Sequence, residues 1–171
     1  MQNLQLEVNM LTGPIPDEIY KLMTDLERLY LWQNEFTGTI PTYVGQLTNM
    51  YDFDYGINQL TGTIPSEIGL LINVEYMYFG WNLLSGSLPS ELANADRLIW
   101  LWLNDNQFTG SIPTELATLQ YSENIRFFNN NGFVTVIPSK SSVFDPSFFF
   151  CEGSIFQQFT TLITQVTRSG W

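Results

Sequence analysis

The sequence contains no histidine and a single cysteine, Cys151. The first absence removes the commonest general base and transition-metal ligand. The second rules out an intrachain disulfide, so packing alone must hold the chain together. Basic residues are also scarce: 6 Lys and Arg stand against 17 Asp and Glu, a formal net charge of −11 with a pI near 4.1. Such a surface repels phosphate backbones and anionic lipid, which argues against nucleic acid as a partner and leaves basic or neutral ligands open. No Asn-x-Ser/Thr acceptor occurs, and no charged-then-apolar leader opens the sequence. No uncharged apolar run reaches the roughly 18 to 20 residues of a bilayer span, so this chain is not expected to insert into a membrane. Glycine-rich phosphate loops, metal-ligand clusters and a nucleophile with a partner base are missing as well. Neither catalysis nor a cofactor or metal is therefore expected.

What the sequence does have is periodicity. A block of the form L/F-T/S-G-x-I/L-P recurs as LTGPIP from Leu11, FTGTIP from Phe36, LTGTIP from Leu60, LSGSLP from Leu84 and FTGSIP from Phe108. Its glycines are Gly13, Gly38, Gly62, Gly86 and Gly110, spaced 25, 24, 24 and 24 residues apart. A period of this size marks a solenoid, whose units bury their apolar faces only against one another.

Superposing the copies extends the pattern to L-x-x-L-x-L-x-x-N-x-L-T-G-x-I-P-x-x-I-x-x-L. The L-x-L segment alternates with period two and predicts a short strand with one buried face. The asparagine after it, at Asn9, Asn34, Asn58, Asn82 and Asn106, is placed to pair with backbone groups where the chain leaves the sheet. Glycine permits the tight path that follows, and proline starts the return arm. Glu18, Glu67, Glu91 and Glu115 fall in the first turn of short convex helices, where a negative charge suits the helix dipole. The Thr and Ser columns around each glycine fit the turn as small polar residues.

This pattern resembles the plant-type leucine-rich repeat, the L-x-G-x-I-P subclass, found in receptor-like kinase and receptor-like protein ectodomains and in polygalacturonase-inhibiting proteins. The resemblance covers residues 1 to about 119. It implies an α/β solenoid: a right-handed superhelix with a parallel β-sheet on the concave face and short helices or turns on the convex face. It also implies concave-face ligand binding without catalysis, and an extracellular or cell-surface location.

The paired-cysteine caps of that family are missing, and Met1 falls directly in a leucine slot, so the sequence reads as an internal or truncated piece of a longer protein. A sixth, decayed repeat comprises Ile125, Phe127 or Phe128, Asn130 or Asn131, Phe133, Thr135 in the glycine slot, Ile137 and Pro138. The domain division is thus 1–138 for the repeats and 139–171 for a non-repeat tail. That tail holds Phe144, Phe148, Phe149 and Phe150 and is read as a lid over the last repeat, the alternative being a stretch that is disordered or not natural coding sequence.

Residues flanking each inward leucine face outward on the concave sheet. In order they are Asn3, Gln5 and Glu7; Arg28, Tyr30 and Trp32; Asp52, Asp54, Gly56 and Ile57; Tyr76, Tyr78, Gly80 and Trp81; then Trp100, Trp102, Asn104 and Asp105. Exposed strand positions do not call for tryptophan, so an aromatic strip broken by an acidic pair points to recognition. The candidate ligand-binding residues are Arg28, Tyr30, Trp32, Asp52, Asp54, Tyr76, Tyr78, Trp81, Trp100, Trp102 and Asp105. Aromatics provide contact area at low entropic cost, and the aspartates suit a basic group. The expected partner is a protein or peptide, basic ones included. The alternative is an oligosaccharide, either as cell-wall binding or as inhibition of a wall-degrading enzyme. Cross-strand stacking of the rings as mere scaffold competes with both.

Overall fold

The computed structural model describes residues 1–119, 121–130 and 132–134. Six three-residue strands, Asn3–Gln5, Arg28–Tyr30, Asp52–Asp54, Tyr76–Tyr78, Trp100–Trp102 and Asn124–Arg126, form one parallel sheet in which each pairs with the next along the chain. Their middle residues Leu4, Leu29, Phe53, Met77, Leu101 and Ile125 are in register and point inward. From Leu29 onward all five are buried. The chain is thus a stacked coil, as the period requires.

Each turn of the coil continues through the T-G stretch. This stretch is not only a turn: Thr61–Gly62, Leu83–Gly86, Gln107–Ser111 and Gly132–Val134 make a second parallel sheet, and Thr12–Pro14 pairs with Glu35–Thr37. Short β pairing survives there because Gly13, Gly38, Gly62, Gly86 and Gly110 take a φ between 76° and 82°, which turns the strand toward the proline. Pro16, Pro41, Pro65, Pro89 and Pro113 then precede the helical elements. The first is an α-helix, Asp17–Leu22; the other four, Thr42–Gln46, Ser66–Leu70, Ser90–Asn94 and Thr114–Thr118, are single 3-10 turns. Glu18, Glu67, Glu91 and Glu115 all lie in the first turn.

The asparagine column forms a ladder. Asn82 Nδ2 donates to the carbonyls of Tyr55 at 2.9 Å and Phe79 at 3.1 Å, while its Oδ1 accepts the Leu60 N–H at 3.0 Å. Asn34, Asn58 and Asn106 repeat this arrangement between their own neighbours. Asn9 is exposed, and its side chain bonds only within its own turn. In the sixth repeat Asn130 continues the ladder and Phe127 takes the buried slot. Thr135, Ile137, Pro138 and the whole of 139–171, with Cys151, lie outside the described residues.

Between the sheet and the helical turns runs one core from Ile15 to Phe133. Tyr20 and Tyr55 are its largest buried side chains, and their hydroxyls satisfy each other at 2.5 Å. Three residues past each strand the backbone turns left-handed at Val8, Gln33, Ile57, Trp81, Asp105 and Asn129, with φ from 52° to 56°. Only the last two belong to types that adopt this conformation readily. The coil imposes it on the others, and it aims Ile57 and Trp81 over the edge of the inner sheet.

Candidate functional site

The register builds two outward columns on the inner sheet. One reads Asn3, Arg28, Asp52, Tyr76, Trp100 and Asn124; the other reads Gln5, Tyr30, Asp54, Tyr78, Trp102 and Arg126. A third follows just past the strands. Its carbonyls at Trp32, Gly56, Gly80, Asn104 and Phe128 accept N–H groups from the preceding repeat.

Tyr30, Trp32, Asp52, Asp54, Tyr78, Trp81 and Trp102 converge on one cavity of about 520 Å³, together with Glu7, Gly56, Ile57 and Gly80. The other four sequence candidates lie outside it. Arg28 reaches Asn3 Oδ1 at 3.4 Å and lies 5.4 Å from the centre of the Tyr51 ring. Tyr76 meets Tyr51 and Trp100 edge-on at 5.6 and 5.8 Å. Trp100 stacks on Trp102 at 5.9 Å, with planes 7° apart. Asp105 is occupied by Asn104 and Asn129, whose amides donate to it at 2.7 and 2.8 Å.

The alternation rule puts Asn104 outward, and here the structure corrects it: Asn104 is fully buried. It stands after the last outward ring, where the chain turns, and Gly80 beside it leaves room for its amide. Glu7, an outward position that is not among the sequence candidates, is a cavity residue. Arg126 belongs to the decayed sixth repeat and is not among the sequence candidates, yet its guanidinium lies 3.9 Å from the centre of the Trp102 ring. Glu7's position one repeat ahead of Trp32 was a usable signal; the depth made by two adjacent glycines was not foreseeable from spacing.

Electrostatically the cavity is strained. Burial pushes the Asp54 carboxyl up to about 7, against the opposing Gly56 N–H hydrogen bond at 2.8 Å and with help from the charges of Asp52 and Glu7. Burial also raises Asp52, although the Tyr30 hydroxyl donates to its Oδ2 at 2.6 Å and Arg28 is near. The Tyr30 and Tyr78 phenols are pushed above their ordinary range, chiefly by burial and then by the two aspartates. Among the described residues, Glu7 Oε2, Asp52 Oδ1, Trp102 Nε1 and Asn104 Oδ1 are buried without a hydrogen-bond partner. Such atoms cost stability and tend to be retained where something else uses them.

The Leucine Rich Repeat family model matches residues 25–47 and 97–119. A chain of the BIR3–SERK2 complex from Arabidopsis thaliana is 32% identical, superposes with a TM-score of 0.66, and is matched over 81% of this chain and 71% of its own length. The chain belongs to the leucine-rich repeat family. The plant-type leucine-rich repeat ectodomain of the Arabidopsis thaliana membrane receptor kinase GASSHO1/SCHENGEN3, solved in complex with CASPARIAN STRIP INTEGRITY FACTOR 2, is 38% identical with a TM-score of 0.71. That match covers 77% of this chain and 16% of the ectodomain. The LRR receptor-like serine/threonine-protein kinase GSO2 of the same plant is 40% identical over 48 residues, 28% of this chain. This leucine-rich repeat chain spans 4% of that kinase's length. No helix among the described residues is long and apolar enough to cross a membrane.

Proposed function

We propose that this chain is a non-catalytic recognition module that binds a protein or peptide ligand on its inner sheet, as part of a cell-surface, receptor-like protein. The observation that carries the reading is the cavity between Trp32 and Trp102, where aromatic walls meet buried polar atoms that lack protein partners. Rings of this kind dominate binding energy at interfaces, and a preformed concavity reduces the entropic cost of binding. The kinship with an ectodomain solved in complex with its named factor supports a polypeptide ligand and an outward-facing location.

The test is selection of peptides from a display library on the full chain, followed by the variant W32A/Y78A/W102A. The reading expects selected peptides to lose at least about tenfold in affinity on that variant while the fold persists. Binding that ignores the three rings would contradict it. Saturable oligosaccharide binding on a glycan array, with no peptide selected, would move the site to the carbohydrate alternative.

A further inference from the structure

Two glycines interrupt a column of large and polar side chains. It runs Glu7, Trp32, Gly56, Gly80, Asn104 and Phe128, one residue per repeat, and the missing side chains in its middle give the cavity its floor. Neither glycine has a positive φ, so backbone conformation does not demand them. A Cβ on Gly80 would lie 3.1 Å from Asn104 Oδ1, and one on Gly56 3.1 Å from Asp54 Oδ1. The glycines therefore keep two polar oxygens clear.

We propose that the cavity over Gly56 and Gly80 is a specificity pocket for one basic side chain of the ligand, a lysine ammonium or an arginine guanidinium. The proposal rests on the inner sheet being the peptide-binding surface and adds what that surface selects. Its acceptors are Glu7, Asp52 and Asp54, with Glu7 Oε2 and Asp52 Oδ1 unpartnered, and the wholly buried Asn104 lies beside Gly80. Its walls are Trp32, Trp81 and Trp102. Three carboxylates converge there, and the one ion pair among the described residues, Lys21–Asp17, lies elsewhere. Of the nearby arginines, Arg28 contacts Asn3 and Tyr51, while Arg126 lies over Trp102 and donates to Asn124. Acceptors gathered in a half-buried site with no basic residue among its lining disfavour anions and repel one another.

The chemistry narrows further. Although Glu7, Asp52 and Asp54 line one cavity, no group of three His, Cys, Asp or Glu among the described residues is arranged to hold a metal ion, which favours an organic cation. A sugar needs donors and acceptors in alternation, whereas among the lining residues Trp102 Nε1 is the one unpartnered buried donor beside two unpartnered carboxylate oxygens and a third carboxylate, Asp54. Indole faces attract ammonium and guanidinium groups, as Arg126 over Trp102 already shows within the chain.

The experiment titrates the full chain with N-acetyl-arginine methylamide and N-acetyl-lysine methylamide, followed by tryptophan fluorescence. The neutral citrulline and norleucine analogues serve as controls. The cations should bind at least about tenfold more tightly than their neutral counterparts, and D52N/D54N should erase the difference while the circular dichroism spectrum is retained. Equal binding of charged and neutral probes, no binding of either cation, or a preference that survives D52N/D54N would overturn the pocket. Panning a library devoid of Lys and Arg separates this outcome from failure of the peptide reading. Binders from it that W102A abolishes overturn the pocket and keep the sheet as a peptide surface, whereas binders indifferent to W102A count against both.

Discussion

The backbone N–H of Gly56 donates to Asp54 Oδ1 at 2.8 Å, and that single bond does not offset the burial of the carboxylate. Asp54 is surrounded by acidic or phenolic groups: Asp52 on its own strand, Glu7 from the first repeat, and Tyr30 and Tyr78 from the strands on either side. The nearest positive charge, on Arg28, acts on Asp52 and Tyr30. The folded carboxyl therefore titrates near 7 instead of about 3.9 as in an unfolded chain.

A raised carboxyl favours the folded state while protonated and costs stability as it ionises. Asp54's contribution is thus fully present below about pH 4 and lost as pH rises through about 7. The substitution D54N retains an acceptor for Gly56 and removes the titration. It should raise Tm by roughly 3 to 8 °C at pH 8 and change it little at pH 4. Thermal melts of both proteins across that range check this, and a pH-independent difference would contradict the assignment.

Asn82 closes hydrogen bonds to four backbone groups in the third and fourth repeats. Replacing it with alanine leaves the Leu60 N–H, which is buried, without its partner. The variant should lose about 2 to 4 kcal/mol, read as a lower urea midpoint with an unchanged slope. A loss below about 0.5 kcal/mol would mean that water replaces the amide at no cost.

On the convex side a Cβ at Gly69 would stand 2.5 Å from the Glu91 carbonyl oxygen. G69A should therefore destabilise the chain by about 1 to 3 kcal/mol through overpacking, although the same slot holds Ala93 and Ala117 in the next repeats. A melting temperature equal to wild type would show that the turns separate freely.

The fold was legible because repetition makes each slot visible several times: the strands at Leu29, Phe53, Met77 and Leu101, the asparagine ladder and the proline-led turns all follow from local rules. The second sheet was not legible, since T-G stretches such as Thr61–Gly62 pair only through stacking that a single repeat cannot reveal. The site was half legible. Alternation correctly brought Tyr30, Asp54, Tyr78 and Trp102 to one face. It failed at Asn104, where the strand has ended and period two no longer applies. It also gave no depth, because a cavity is made by what Gly56 and Gly80 leave out.

The most direct test uses the indole N–H resonances of the five tryptophans in a ¹⁵N-labelled chain, recorded with and without a display-selected peptide. If the cavity on the inner sheet is the binding site, Trp32, Trp81 and Trp102 shift together, with Trp102 Nε1 moving most because it gains a partner. A bound peptide that leaves those three signals in place would contradict the account.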